Sequence, residues 1–295
     1  MADAAPMHPA NGIATAKAPH QVPPQGKGCG DLSKIRSVAA SSGPQVAFLS
    51  VTTRRRKRNL QQEKPMPDLK GMRILVAGGT GDVGAGVVAV FLAQGADVIV
   101  PSRSAEKTAQ LRQGLDATDH LTVLPGEVGS VAGAVEVARA VRAIGPLDGV
   151  VASLGGWWLG SPLIDVDATT WDAMLASNLT SHFATAKAFV PLLKEKGGTY
   201  VQFLGAAAEF PVPGSSLVSI TAAAVAMLGR TLRGETGQSS VRVRQIMIES
   251  LVATRARTVG DPAWVTAAEI GALASQMIAG RMAGEDLVRM RARAS

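Results

Sequence analysis

The chain has 295 residues with many alanines, 32 glycines and few aromatics, a composition that suits compact α/β packing in one large or two small units. Its net charge of +7 sits wholly in residues 1–70, which hold 11 Lys/Arg against 4 Asp/Glu, while residues 71–295 hold 19 of each and make no case for a nucleic-acid face. The single cysteine, Cys29, excludes an intramolecular disulfide, the histidines (His8, His20, His120, His182) lack metal-ligand spacing, and no apolar run reaches about 18 residues, so neither a metal nor a membrane span is expected.

Residues 1–70 are rich in Pro, Gly, Ala, Ser and Lys/Arg and show little apolar periodicity, so a disordered basic tail is expected there. The run Arg54–Arg58 reads as part of that solvated tail, with an anionic contact or a transit peptide as alternatives. Met66 or Met72 would also begin the domain cleanly.

From Met72 the pattern alternates. Apolar runs predict buried strands at Arg73–Ala77, Asp97–Pro101, Leu121–Leu124, Gly149–Leu154, Thr199–Leu204 and Val241–Ile248, with a short last one near Asp286–Met290. Helices are expected between them, roughly over 83–94, 104–114, 130–143, 169–195, 216–235 and 263–280. The predicted fold over 71–295 is therefore α/β, a single Rossmann-type doubly wound parallel sheet of about seven strands.

The first strand runs into Gly78, Gly79, Thr80, Gly81, Asp82, Val83 and Gly84. Glycines at 78, 81 and 84, between a strand and a helix, let the backbone approach a pyrophosphate, which the helix N-terminus then meets with free N–H groups. The second strand ends Ser102-Arg103-Ser104 with no acid to hold two ribose hydroxyls. Arginine and two hydroxyls suit a 2′-phosphate, so NADP(H) is expected over NAD(H).

These residues resemble the short-chain dehydrogenase/reductase superfamily over about 220 residues. The resemblance extends the cofactor site to Glu127, Val128, Ser153 and Gly155, and it makes Asn178 the family's structural asparagine. It then breaks. Gly205 stands at the family's serine, and Val218 and Ala222 stand at its Tyr-x-x-x-Lys pair. The only tyrosine is Tyr200 and no lysine follows Lys196, so a shifted alignment supplies neither group. The resemblance also implies a homodimer or homotetramer through the helices near 169–195 and 216–235, and a cytoplasmic location.

Several side chains remain as stand-ins. Ser219 or Thr221 can donate a hydrogen bond, although Ser215 or Ser216 is first expected to cap the helix. His182, one turn after Asn178, is either a general acid or a packing histidine. Glu209 is a pocket base or a solvated loop acid. Trp157 and Trp158 offer an aromatic wall, one of them expected in the core, and the short 251–263 segment suggests an open site. Three functions follow: an NADP(H)-dependent oxidoreductase with a non-standard proton path, a nucleotide-binding pseudoenzyme, or a non-redox lyase or cyclase.

Overall fold

A computed structural model describes residues 66–194, 197–237, 239–255, 257, 261–282 and 284–293. Of the disordered tail expected over residues 1–70, residues 1–65, with Cys29 and the Arg54–Arg58 run, lie outside them. Its last residues depart from expectation: Leu69 is fully buried, and its N–H donates to Gln94 O.

Seven strands form one parallel sheet. They are β1 (Arg73–Ala77), β2 (Asp97–Ser102), β3 (Leu121–Pro125), β4 (Gly149–Ala152), β5 (Thr199–Gly205), β6 (Arg242–Glu249) and, last in the chain, β9 (Leu287–Arg291). Their order is β3-β2-β1-β4-β5-β6-β9, which reverses direction of growth between β1 and β4. Such a switch point leaves a crevice at the carboxyl ends of the strands, where ligands bind in open α/β sheets. The central strands are apolar on both faces because helices cover both. Ile74 and Val76 pack with Val87 and Phe91 on one side, while Leu75 and Ala77 pack with Val137 and Val141 on the other.

The helices are α1 (Asp82–Ala93), α2 (Ala105–Gln113), α3 (Val131–Ile144), α4 (Ala168–Leu175), α5 (Ser181–Phe189), α6 (Ser216–Thr236) and α7 (Ala267–Ile278). The single helix expected over 169–195 departs from expectation twice. A π turn at Ala176–Thr180 separates α4 from α5, and the helix gives way at Val190–Leu192 to a 3-10 turn that holds Pro191. Pro191 has no N–H to donate back along the helix, so the α-helical bonding stops there.

The last helix also starts later than expected. Val265–Thr266 form a short strand, β8, paired in parallel with β7 (Val252–Ala253). Thr266 then caps α7: its side chain accepts from Glu269 N while Glu269 reaches back to Thr266 N, a capping box. The stretch expected to be a bare connection is thus partly tied down. Within it, Arg255 donates to Gln110 O on α2 at 3.4 Å.

Candidate active site

The turn after β1 is closed by its glycines. Gly78 has φ +79°, and a Cβ there would overlap the Ser153 carbonyl of the neighbouring strand end. A Cβ at Gly84 would overlap the Gly78 carbonyl, so α1 packs directly on the turn. Gly79 sits against Val100, and Val83 packs on the core. Gly81 is the N-cap residue of α1, and no side chain caps that end. The first turn of α1 therefore keeps the positive end of its dipole and its N–H groups free of a side-chain cap, a setting that suits a pyrophosphate.

A groove of about 890 Å³ runs across the carboxyl ends of the strands. It brings together Gly78, Thr80, Gly81, Ser102, Arg103, Ser104, Glu127, Val128, Ser153 and Gly155 of the residues expected to hold a cofactor. Gly79, Asp82, Val83 and Gly84 shape the turn without lining the groove, and Asp82 instead borders a second cavity of about 340 Å³ with Arg255.

At the β2 end the hydroxyls are already engaged. Ser104 caps α2 by accepting from Lys107 N at 3.2 Å. Ser102 donates to Ser104 O and accepts from Thr108 Oγ1 at 3.0 Å. The exposed cations of this end are Arg103 and Lys107, and neither has an ion-pair partner among the described residues. Lys107 escaped the sequence reading; its place one turn into α2, after Arg103, was the available signal. Glu127 accepts from Ser130 Oγ at 2.5 Å.

Asn178 sits in the π turn, a feature frequent at functional sites. Its Oδ1 accepts from Gly156 N at 2.9 Å and its Nδ2 donates to Gly156 O at 2.9 Å. Gly155 has φ +94°, and its Cβ position lies 3.2 Å from Asn178 Oδ1, so the backbone can reach the amide only as glycine. The asparagine thus pins the loop after β4 to the long helical segment.

Beside it lies a side pocket of about 110 Å³ that shares Leu154, Gly155 and Gly156 with the wall of the groove. Asn178, His182, Gly205, Val218, Thr221 and Ala222 line it. Thr221 Oγ1 donates to Leu217 O at 2.7 Å and lies 3.5 Å from Asn178 Nδ2. Ser219 is outside the pocket: its hydroxyl accepts from Val212 N at 3.0 Å and holds the preceding loop. Ser215 occupies the N-cap position of α6 but makes no capping bond, and its hydroxyl and that of Ser216 are buried without a partner among the described residues. Tyr200 lies wholly inside the sheet, where burial raises its phenol above the usual range.

His182 is 2% exposed. Burial pulls its pKa down to about 4, against a smaller opposing effect of the hydrogen bond with the Leu154 backbone, so the ring is neutral near neutral pH. Its Nδ1 lies 3.4 Å from Gln202 Nε2, and Gln245 Nε2 in turn donates to Gln202 Oε1 at 2.9 Å. The two glutamines fill the space that a side chain at Gly229 of α6 would need. Glu209 is an exposed loop acid, as one expectation had it, but it is not free. Arg289 grips both its oxygens, at 2.5 and 2.7 Å, and also binds Glu249 at 2.6 Å. That pairing holds the Glu209 carboxyl below its usual range. Neither tryptophan is in the core, contrary to expectation: Trp157 is 67% exposed and Trp158 half-buried against Gly160.

Among the described residues no three metal-ligating side chains are grouped, and no helix is long and apolar enough to cross a membrane.

Residues 72–259 match the model of the family described as short chain dehydrogenase. The chain is 29% identical over 172 residues to cis-2,3-dihydrobiphenyl-2,3-diol dehydrogenase of Paraburkholderia xenovorans (strain LB400), covering 57% of this chain and 61% of that one. It spans about three fifths of the length of such dihydrodiol dehydrogenases. It is 28% identical over 233 residues to the "Probable galactose dehydrogenase GalD" of Rhizobium meliloti (strain 1021), covering 75% of this chain and 87% of that one. Among solved structures, a short-chain type dehydrogenase/reductase from Mycobacterium ulcerans superposes with TM-score 0.68 at 23% identity, over 76% of this chain and 90% of that one. The Pseudomonas aeruginosa RhlG/NADP active-site complex superposes with TM-score 0.66 at 24% identity, over 76% and 96%. At these identities the two structures speak to the fold alone.

Proposed function

The chain belongs to the short chain dehydrogenase family, and from that premise we propose that it is an NADP(H)-binding oxidoreductase that acts on a small molecule without the family's tyrosine–lysine pair. The observation that carries this reading is a groove and a side pocket that share a wall. The groove runs from Arg103 and Lys107, which have no ion-pair partner among the described residues, past the glycine turn to Leu154, Gly155 and Gly156, which also line the side pocket beside Asn178. When bound, a nicotinamide dinucleotide supplies the hydride donor or acceptor. The turn at Gly78–Gly84 would hold its pyrophosphate, Arg103 and Lys107 its 2′-phosphate, and Glu127 and Val128 its adenine end.

The pocket residues have little proton to give. The Thr221 proton is committed to Leu217 O, the Asn178 amide to Gly156, and the His182 ring is neutral between Gln202 and the Leu154 backbone. Water entering the pocket is then the proton source in this reading, with Asn178 and His182 as positioning residues. The same satisfied side chains favour a second reading, a protein that binds the dinucleotide and does not turn it over.

Titration of NADPH and NADH onto the full chain, followed by transfer of deuteride from labelled NADPH to neutral ketones and enones, separates the readings. Binding with transfer supports the oxidoreductase, and binding without transfer supports the second reading. Failure to bind either dinucleotide sinks both. Turnover without change in nicotinamide absorbance would point to lyase or cyclase chemistry. We also propose self-association through α5 and α6, which leave Phe183, Ile220 and Met227 exposed on one side of the sheet.

A further inference from the structure

Charge is distributed unevenly along the groove. The β2 end carries Arg103, Lys107 and Glu127. The other end carries none. Residues 149–164, which include β4 and the loop beyond it, hold no ionisable side chain, and neither do 210–229, which lead into and along α6. Thr199–Ala208 adds only the buried Tyr200. Between the last two stretches stands Glu209, both of whose oxygens are taken by Arg289, and Arg230 follows them on α6. Within the side pocket the only titratable lining group is His182, neutral and tied to Gln202.

The same end is apolar and open. Trp157, Leu159 and Phe210 are 67%, 69% and 55% exposed. Trp157 and Leu159 follow directly from Gly156 on the pocket wall, and Phe210 lies five residues past Gly205 on the same wall. The two loops are fastened to each other. Gly160 N donates to Gly214 O at 2.8 Å, and Leu159 packs against Gly214, whose φ of +74° keeps that position free of a side chain. The loop that carries Trp157 and Leu159 is thereby tied to the loop that follows Phe210.

We propose that this end of the groove binds a neutral, apolar organic molecule with a planar face, its uncharged part held by Trp157, Leu159 and Phe210. The inference rests on the reading of the groove as a small-molecule site and deepens it by naming the substrate class. A carboxylate, phosphate or ammonium brought into the side pocket would lose water and find no opposite charge in its lining. A flat apolar body gains contact with an indole and a phenyl ring and removes exposed apolar surface from water.

The test uses a matched pair, 2-acetylnaphthalene and 6-acetyl-2-naphthoate, titrated calorimetrically onto the full chain with NADP+ present. The neutral ketone is expected to bind at least about tenfold more tightly than its carboxylate, the order of one unpaired polar burial. Trp157→Ala and Phe210→Ala should each weaken the ketone several-fold at unchanged thermal stability. Leu159→Arg should narrow or invert the preference by giving the carboxylate a partner. Equal binding of the two compounds overturns the proposal, as does binding of neither while NADPH binds. It is also overturned if the rim variants dissociate an oligomer and leave ketone affinity unchanged, because the rim then covers a second copy. Preference for the ketone without NADPH binding would retain the substrate class and remove the oxidoreductase reading.

Discussion

Replacing His182 by glutamine should flatten part of the pH dependence of stability. The ring is 2% exposed, and burial lowers its pKa from 6.5 to about 4 in the folded chain. Above pH 6.5 it is neutral whether folded or unfolded and contributes no slope. Between pH 6.5 and about 4 the unfolded chain binds a proton that the folded chain refuses, so stability falls as pH falls, by about 1.4 kcal/mol per pH unit. Over the whole interval the loss is roughly 3 kcal/mol, a large part of the ~5–15 kcal/mol typical of a domain. The carboxyls of Glu209, Glu249 and Glu269 are held low by their partners and also lose stabilisation on acidification, but they are common to both proteins and cancel in the difference. Glutamine keeps a donor and an acceptor near Gln202 and Leu154 and cannot titrate. Urea unfolding of both proteins in half-unit steps from pH 7.5 to 4.5 should therefore show the variant gaining about 2–3 kcal/mol relative to the native chain toward low pH. Curves that stay parallel within about 0.5 kcal/mol would refute the buried neutral ring.

Arg103→Ala should weaken NADPH about tenfold and leave NADH unchanged, since an exposed guanidinium–phosphate pair is worth on the order of 1–2 kcal/mol; equal losses for both dinucleotides would move Arg103 off the 2′-phosphate. Asn178→Ala removes two hydrogen bonds to Gly156. Because Gly156 is exposed and water can take over, the cost should be only about 1–2 kcal/mol, read as a lower urea midpoint at constant slope. Met227→Asp should shift the sedimentation coefficient to that of a monomer if α6 mediates self-association, and an unchanged oligomer would place the interface elsewhere.

The sheet was legible because strands covered on both faces need unbroken apolar runs. Ile74–Ala77, Val98–Val100 and Val150–Ala152 supply them without help from the rest of the chain. The glycine turn was legible for a related reason: three close backbone approaches demand three missing side chains at fixed spacing. What the sequence concealed was mostly decided between distant residues. Ser104 reads equally as a phosphate ligand or a helix cap, and the geometry of Lys107 N shows the second use. Glu209 looks like a free loop acid until β9 brings Arg289 beside it, 80 residues away. The π turn left no local mark, because the bond that centres it joins Asn178 to Gly156, 22 residues back. Pro191 and the Thr266–Glu269 capping box, by contrast, were visible signals that correct the ends of two helices.

The pair Gln202 and Gln245 leaves a trace beyond this one chain. Because the amides occupy the volume above Gly229, residues 202, 229 and 245 form a linked set drawn from two strands and a helix. A related chain with any side chain at the position of Gly229 must have surrendered or moved at least one of the two glutamines. A single glycine, read from sequence, therefore forecasts whether a relative keeps the pair that stands beside the His182 ring. Installing alanine at 229 should cost less stability in a Gln245→Ala background than in the native chain, which makes the linkage measurable as a double-mutant coupling.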